Sequence, residues 1–191
     1  MITLPKNIRE NLAGDRPEID PSALIDPSAQ IIGNVKIGKN VIVGPLTVIR
    51  ADERGPDGKV KPVVIEDEVN VQDGVIIHTH GGTSVLIGPR TAVAHGVIIH
   101  GPCTIGEACF LSMRATLYSA SLETSVWVGM GALIMRTNLP ARTMVPAGSI
   151  IRSVLDTKGL RLISTNEHKY MADVMAAGRG IMDDFRKNTG R

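Results

Sequence analysis

From Ala23 onward the chain repeats itself every six residues. The hexads read ALIDPS, AQIIGN, VKIGKN, VIVGPL and TVIRAD. An apolar residue returns at Ile25, Ile31, Ile37, Val43 and Ile49, with a small or β-branched residue two places before each. The polar insertion ERGPDGKVKP breaks the period, which resumes on Ile65, Val71 and Ile77. A four-residue interruption near GGTS follows, after which Ile87, Val93, Ile99, Ile105, Leu111 and Leu117 carry the pattern on. It continues less regularly through Val128 and Ile134 and closes near VPAGSII. A short fixed period of this kind is the signature of a solenoid. Residues two apart share one face of a strand, so each hexad supplies one short strand and a turn. Three hexads close a triangular coil, and successive coils stack about 4.8 Å apart. A β-sandwich would need turns at intervals of about 8–12 residues and leaves a strict six unexplained.

The expected architecture is therefore all-β: a parallel β-helix of hexapeptide repeats over residues 23–152, in about six triangular coils. It is left-handed in the hexapeptide-repeat families that this pattern resembles. Residues 1–22 read as a surface-lying lead-in, and 153–191 as a linker and C-terminal helix. Ser164-Thr165-Asn166-Glu167 has the form of a capping box. Met171, Val174, Met175, Ile181, Met182 and Phe185 then recur at helical spacing. These mark an amphipathic helix over 165–187, weakened or kinked at Gly178 and Gly180, whose methionine stripe packs back on the coil. Aromatic residues make up only 3% of the chain, so the core must be built from Val, Ile, Leu and Ala.

Composition excludes some function classes. The formal net charge is +2 without a basic cluster, which argues against nucleic-acid binding. The chain has no run of about 18 apolar residues that could span a membrane. Its N-terminus lacks the apolar core of a signal peptide, so a cytoplasmic location is expected. Cys103 and Cys109 read as small buried hydrophobes of a reducing compartment rather than as a disulfide.

Counting in coils brings distant residues together. His78 and His100 are 22 residues apart, or 18 once the four-residue interruption is removed. Arg50 to His78 is 28, or 18 without the ten-residue insertion, and Tyr118 lies 18 beyond His100. Arg50, His78, His100 and Tyr118 thus form one outward column. By the same count Asp73 lies below His95 and Met113 above it, on an adjacent face. Two imidazoles one coil apart can both reach a tetrahedral metal at about 2.0–2.1 Å. His95 cannot reach the same point within its own chain, and a homotrimer resolves this. A metal held by His78 and His100 of one subunit and His95 of another, repeated at each interface, is the expectation. Outward Arg50, Asp52, Asn70, Gln72 and Asp73 surround these histidines. His80 and His168 read as surface residues. Three neutral histidines with an open fourth position form a catalytic arrangement, in which the metal lowers the pKa of a bound water to about 7.

The segments VIRADE (48–53), VNVQDGVIIH (69–78) and AHGVIIHGP (94–102) resemble the γ-class carbonic anhydrases. The resemblance runs from about residue 23 to 152, and MRATLYSASL and VPAGSII are similar to the branch of the archaeal prototype and the carboxysomal homologues. It implies a homotrimer that hydrates CO2 reversibly to bicarbonate with metal-generated hydroxide. It implies Zn2+, with Fe2+ or Co2+ also active, on His78, His95 and His100. Gln72 and Asn70 match the residues that orient water and bicarbonate; Arg50 and Asp73 match an interface ion pair; Asp52 and Glu53 match the acidic pair after the arginine. Gln72 can hold a nucleophilic oxygen towards CO2, Asn70 can fix the substrate oxygen, and Glu53 can carry protons. The chain departs from the prototype in its loop after the first ligand, HTHGGTSV, which is short and has no acid. Other readings on the same scaffold are a metal-dependent thioesterase or hydrolase, and an assembly or binding subunit without turnover. A hexapeptide acyltransferase, which needs one catalytic histidine and no metal, ranks last.

Overall fold

A computed structural model describes residues 7–189 of the chain; residues 1–6, 190 and 191, the extremes of the lead-in and tail, lie outside the described residues. Three parallel sheets make the walls of a triangular prism. The first has eight strands, running from Ile8–Arg9 through Val48–Ala51, Ile76–His78, Ile98–His100 and Thr116–Tyr118 to Ile150–Ile151. The second and third have seven each. The chain visits them in rotation, so each coil donates one strand to every sheet, and the parallel β-helix expected from the hexads is what forms.

The periodic residues become the core. On the first sheet Ile31, Ile49, Ile77, Ile99, Leu117 and Ile134 pair in register, one above another. Each is fully buried. Ile37, Ile65, Ile87 and Ile105 do the same on the second sheet, and Val43, Val71, Val93 and Leu111 on the third. Aliphatic β-branched side chains suit this narrow interior, because each layer must fill the same triangular cross-section. Cys103 and Cys109 are buried free thiols, and burial pushes the Cys109 thiol up to about 11.

The solenoid has about seven coils, one more than the repeat count of six. The additional coil comes from the lead-in, where Ile8–Arg9 and Glu18–Ile19 join the first and second sheets. Ile19 pairs with Ile37 in phase, but Ile8 pairs with Ile31 across 23 residues. The excess sits in the turn at Asn11–Asp15, which hides the first coil from a six-residue count. Asn11 is buried there and donates from Nδ2 to the Ala51 carbonyl at 2.9 Å.

The C-terminal helix spans Thr165–Thr189 without interruption. Gly178 and Gly180 lie within it and do not end it. Gly178 permits a close approach, since a Cβ there would lie 2.6 Å from Nδ2 of Asn70. At about 1.5 Å per residue the helix is ~37 Å long, enough to cover a seven-stranded sheet of ~29 Å. It runs back along the third sheet. Met171 packs with Phe110 and Ile163, and Trp127, Met144 and Met175 line the same contact. At the far end Arg186 reaches Asn40 at 2.7 Å. No helix among the described residues is long and apolar enough to cross a membrane.

The capping box forms as its sequence implies. Ser164 N donates to Glu167 Oε2 at 2.7 Å, and Glu167 N donates to Ser164 Oγ at 3.3 Å. Arg161 adds a two-pronged contact at 2.6 and 2.7 Å, which with Ser164 holds the Glu167 carboxyl down to about 2. A folded-state pKa below the unfolded value gives stability that is complete above the ordinary carboxylate pKa and lost as pH falls through about 2. Replacing Glu167 by alanine is expected to lower stability by ~1–2 kcal/mol near neutral pH, given the exposure of the guanidinium. Urea unfolding at pH 7 and pH 2 checks this: the variant's deficit should shrink at the lower pH.

Candidate metal centre

Strand pairing sets the histidine column. His78 lies opposite Arg50 on one side and His100 on the other, and His100 lies opposite Tyr118. Ile77 and Ile99 point inward, so alternation turns the imidazoles outward. Their ring centroids are 5.2 Å apart and nearly perpendicular. His100 Nδ1 lies 3.2 Å from the Gly101 carbonyl. A carbonyl can only accept, so Nδ1 carries the hydrogen and a neutral ring keeps its lone pair on Nε2.

His78 is more enclosed, at 8% exposure. Its Nε2 is 3.3 Å from Glu53 Oε1 and 3.4 Å from Asp52 Oδ1, yet neither contact has hydrogen-bond geometry. Among the described residues, His78 Nε2 and Asp52 Oδ1 are buried atoms without a hydrogen-bond partner. Burial and then the Arg50 charge push the His78 pKa down, against the pull of Glu53 and Asp52. That direction favours the neutral ring that a metal ligand requires.

The three long excursions of the chain all leave from the corner between the first and second sheets, beside this column. Glu53 lies at the start of the second excursion, and Gly81 N of the third donates to its Oε2 at 3.2 Å. The two loops meet at glycines, where a Cβ on Gly55 would be 2.6 Å from Gly82 Cα. Arg50 Nη1 donates to Asp52 Oδ2 at 2.7 Å, an i, i+2 pairing within the chain. His80, exposed as the sequence suggested, comes within 3.8 Å of Glu53. These two contacts were not foreseen; strand alternation could have indicated the first.

The remaining candidates sit elsewhere. Asp73 and His95 occupy successive turns between the third and first sheets, with the Gly96 N–H donating to the Asp73 carbonyl at 2.9 Å. Gly74 and Gly96 follow them at φ of 65° and 68°, so both turns have the same tight form. His95 Nδ1 is 3.3 Å from Asp73 Oδ2, and both side chains are more than half exposed. Asp73 thus contacts His95, and Arg50 contacts Asp52, within one chain. Gln72 is half-buried beside Asp73, and its carboxamide has no partner among the described residues. Asn70 shares the outward face with Gln72 but is covered by the helix at Gly178, where it lines a cavity of about 130 Å³ with Met175 and Arg179.

One chain therefore divides the candidate residues in two. Arg50, Asp52, Glu53, His78 and His100 meet at one edge of the first sheet. His95, Asp73 and Gln72 meet at its other edge, with Asn70 behind them. Among the described residues, no group of three or more His, Cys, Asp or Glu side chains of a single chain is arranged to hold an ion.

Comparison with known proteins places the chain in a family. Residues 16–51 match the family model for the bacterial transferase hexapeptide (six repeats). The carbonic anhydrase of Methanosarcina thermophila is 30% identical over 189 residues, covering 86% of this chain and 74% of that protein. The chain belongs to the γ-class carbonic anhydrase family. The carboxysome assembly protein CcmM of Synechocystis is 31% identical over 170 residues, covering 84% of this chain. The matched region spans only 24% of that longer protein. A solved structure of a putative acetyltransferase from Bacillus cereus superimposes with a TM-score of 0.77 over 96% of this chain and 99% of that one. At 21% identity this likeness concerns the fold alone.

Proposed function

We propose that the protein is a metal-dependent carbonic anhydrase, active as a homotrimer, that hydrates CO2 reversibly to bicarbonate. The observation that carries this reading is the orphaned Nε2 of His78, stacked on His100 and flanked by Asp52 and Glu53. A buried nitrogen beside two carboxylates, without a hydrogen bond, suits a cation. His78 and His100 of one subunit with His95 of the next would hold it, with Zn2+ the expected ion and Fe2+ or Co2+ alternatives. When bound, the ion supplies a water acidic enough to lose its proton near neutral pH.

The trimer is supported by the outer face of the first sheet. Val48, Ile76, Ile98, Leu133 and Ile150, interrupted by Thr116, form a mainly apolar stripe along it, beside the histidine column. Ile76, Ile98 and Ile150 are 40–58% exposed in the single chain. A stripe of this kind favours a protein partner. Three-fold packing of this face brings one chain's His95 edge to the next chain's His78 and His100 edge. Gln72 arrives with His95, and its free carboxamide orients the attacking oxygen towards CO2. Asn70, expected to fix the substrate oxygen, instead faces Gly178 under the helix and stands behind Gln72. Across the interface Arg50 can also reach the neighbouring Asp73. Glu53 stands against His78 on one side and faces water on the other, so it carries the proton out.

CO2 hydration by anaerobically metal-loaded protein, with His100→Ala as control, tests the proposal. A metal-replete trimer with no hydration above that control would sink it. That outcome would favour a second reading, a non-catalytic assembly subunit, which the CcmM similarity motivates. Thioester cleavage by the same preparation would instead favour a hydrolase.

A further inference from the structure

The histidine column does not end at His100. Tyr118 is the next rung, in register with it, with the Ser119 N–H donating to the His100 carbonyl at 3.1 Å. The Tyr118 and His100 rings are 5.5 Å apart at 37°. Arg136 closes the stack, its guanidinium carbon 5.7 Å from the Tyr118 ring centroid. His100 is therefore held from three sides: His78 edge-on below, Tyr118 above and the Gly101 carbonyl at Nδ1. His78 has no such aromatic cover on its other side, where the next rung is Arg50.

We propose that Tyr118, braced by Arg136, is a positioning residue for His100. Resting on the reading of His100 as a metal ligand, this inference concerns what fixes that ring before the ion arrives. An imidazole with a single hydrogen bond can still swing about χ2, whereas a tilted ring packed 5.5 Å away favours one orientation. The aromatic face does this and the hydroxyl does not, so phenylalanine should substitute for tyrosine and leucine should not. Supporting groups of this kind typically change metal affinity by about 10–100-fold.

The experiment compares Tyr118→Phe and Tyr118→Leu with the unmodified protein. Zinc affinity is read by competition with a chromophoric chelator, and His100 ring signals are read by NMR in metal-free protein. Metal-free thermal unfolding should stay within a few degrees for both variants. Tyr118→Leu is expected to weaken zinc binding about tenfold, to shift the His100 ring signals and to abolish their Overhauser contacts with residue 118. Tyr118→Phe should retain zinc within about twofold and keep those contacts. Equal losses in the two variants, or unmoved His100 signals in Tyr118→Leu, would overturn the proposal. A His100→Ala protein that binds zinc like wild type would refute the ligand assignment instead, and the metal-free NMR result would still decide whether Tyr118 orients His100.

Discussion

Mixing two inactive variants, His95→Ala and His100→Ala, is expected to restore CO2 hydration to about a quarter of the wild-type rate. Each variant alone should lose ~100-fold or more, because every site of the proposed trimer would lack one ligand. In a trimer assembled at random from equal amounts, a site is whole when its column comes from one variant and its corner from the other. Each condition is met about half of the time, giving about one site in four. The layout of the single chain dictates this outcome, since His78 and His100 stack at one edge of the first sheet and His95 leaves from the other. The matched control mixes His78→Ala with His100→Ala. Those two residues share a column, so no assembly restores a complete pair and activity should stay at the level of the single variants. Stopped-flow hydration on co-refolded protein, with mixed trimers verified by native mass spectrometry, reads both results. Mixed trimers of the first pair without recovered activity, or recovery in the second pair, would show that the site is not shared in this way.

The split of the candidate residues between two edges of the first sheet was legible in the sequence because a period of six converts residue number into position. The registers Arg50–His78–His100–Tyr118 found in the first sheet are those that counting gives once two insertions are removed. A strand ladder has no freedom to slip here, because a shift of one residue would turn every buried isoleucine outward. Contacts that leave the period were not legible. The Glu53 carboxylate is fixed by the Gly81 amide, through loops whose paths no repeat encodes. The first coil was hidden for the same reason: the Asn11–Asp15 turn puts Ile8 out of phase with Ile31. The continuity of the C-terminal helix through Gly178 was also unreadable, since helix propensity penalises this glycine while its close approach to the Asn70 side chain favours it. Asn70 shows the same limit from the other side. Its outward phase follows from counting, but its cover by a helix more than a hundred residues later does not.

Replacing Ile99 by alanine is expected to cost about 3 kcal/mol of folding stability while leaving the activity of the folded protein within about threefold of wild type. Ile99 is fully buried between Ile77 and Leu117, in layers that cannot close over a missing side chain without drawing in the coils above and below. The cavity term therefore adds to the lost transfer energy. The strand itself is held by the ladder, in which the Gly101 N–H donates to the His78 carbonyl at 2.8 Å and the Ser119 N–H to the His100 carbonyl at 3.1 Å. His100 thus keeps its register even where the interior loosens. The two neighbours of Ile99 should report on different properties. Ile98, 40% exposed on the outer stripe, should cost the isolated chain under about 1 kcal/mol as alanine and act mainly on trimer dissociation. His100→Ala should abolish tight metal binding with little change in the stability of the metal-free protein. Urea unfolding, sedimentation and zinc affinity across these three substitutions separate core, interface and site along one strand, Ile98–His100. If Ile99→Ala were as benign to stability as Ile98→Ala, the alternation that turns the imidazole outward would be misassigned, and the metal centre built on it would fall as well.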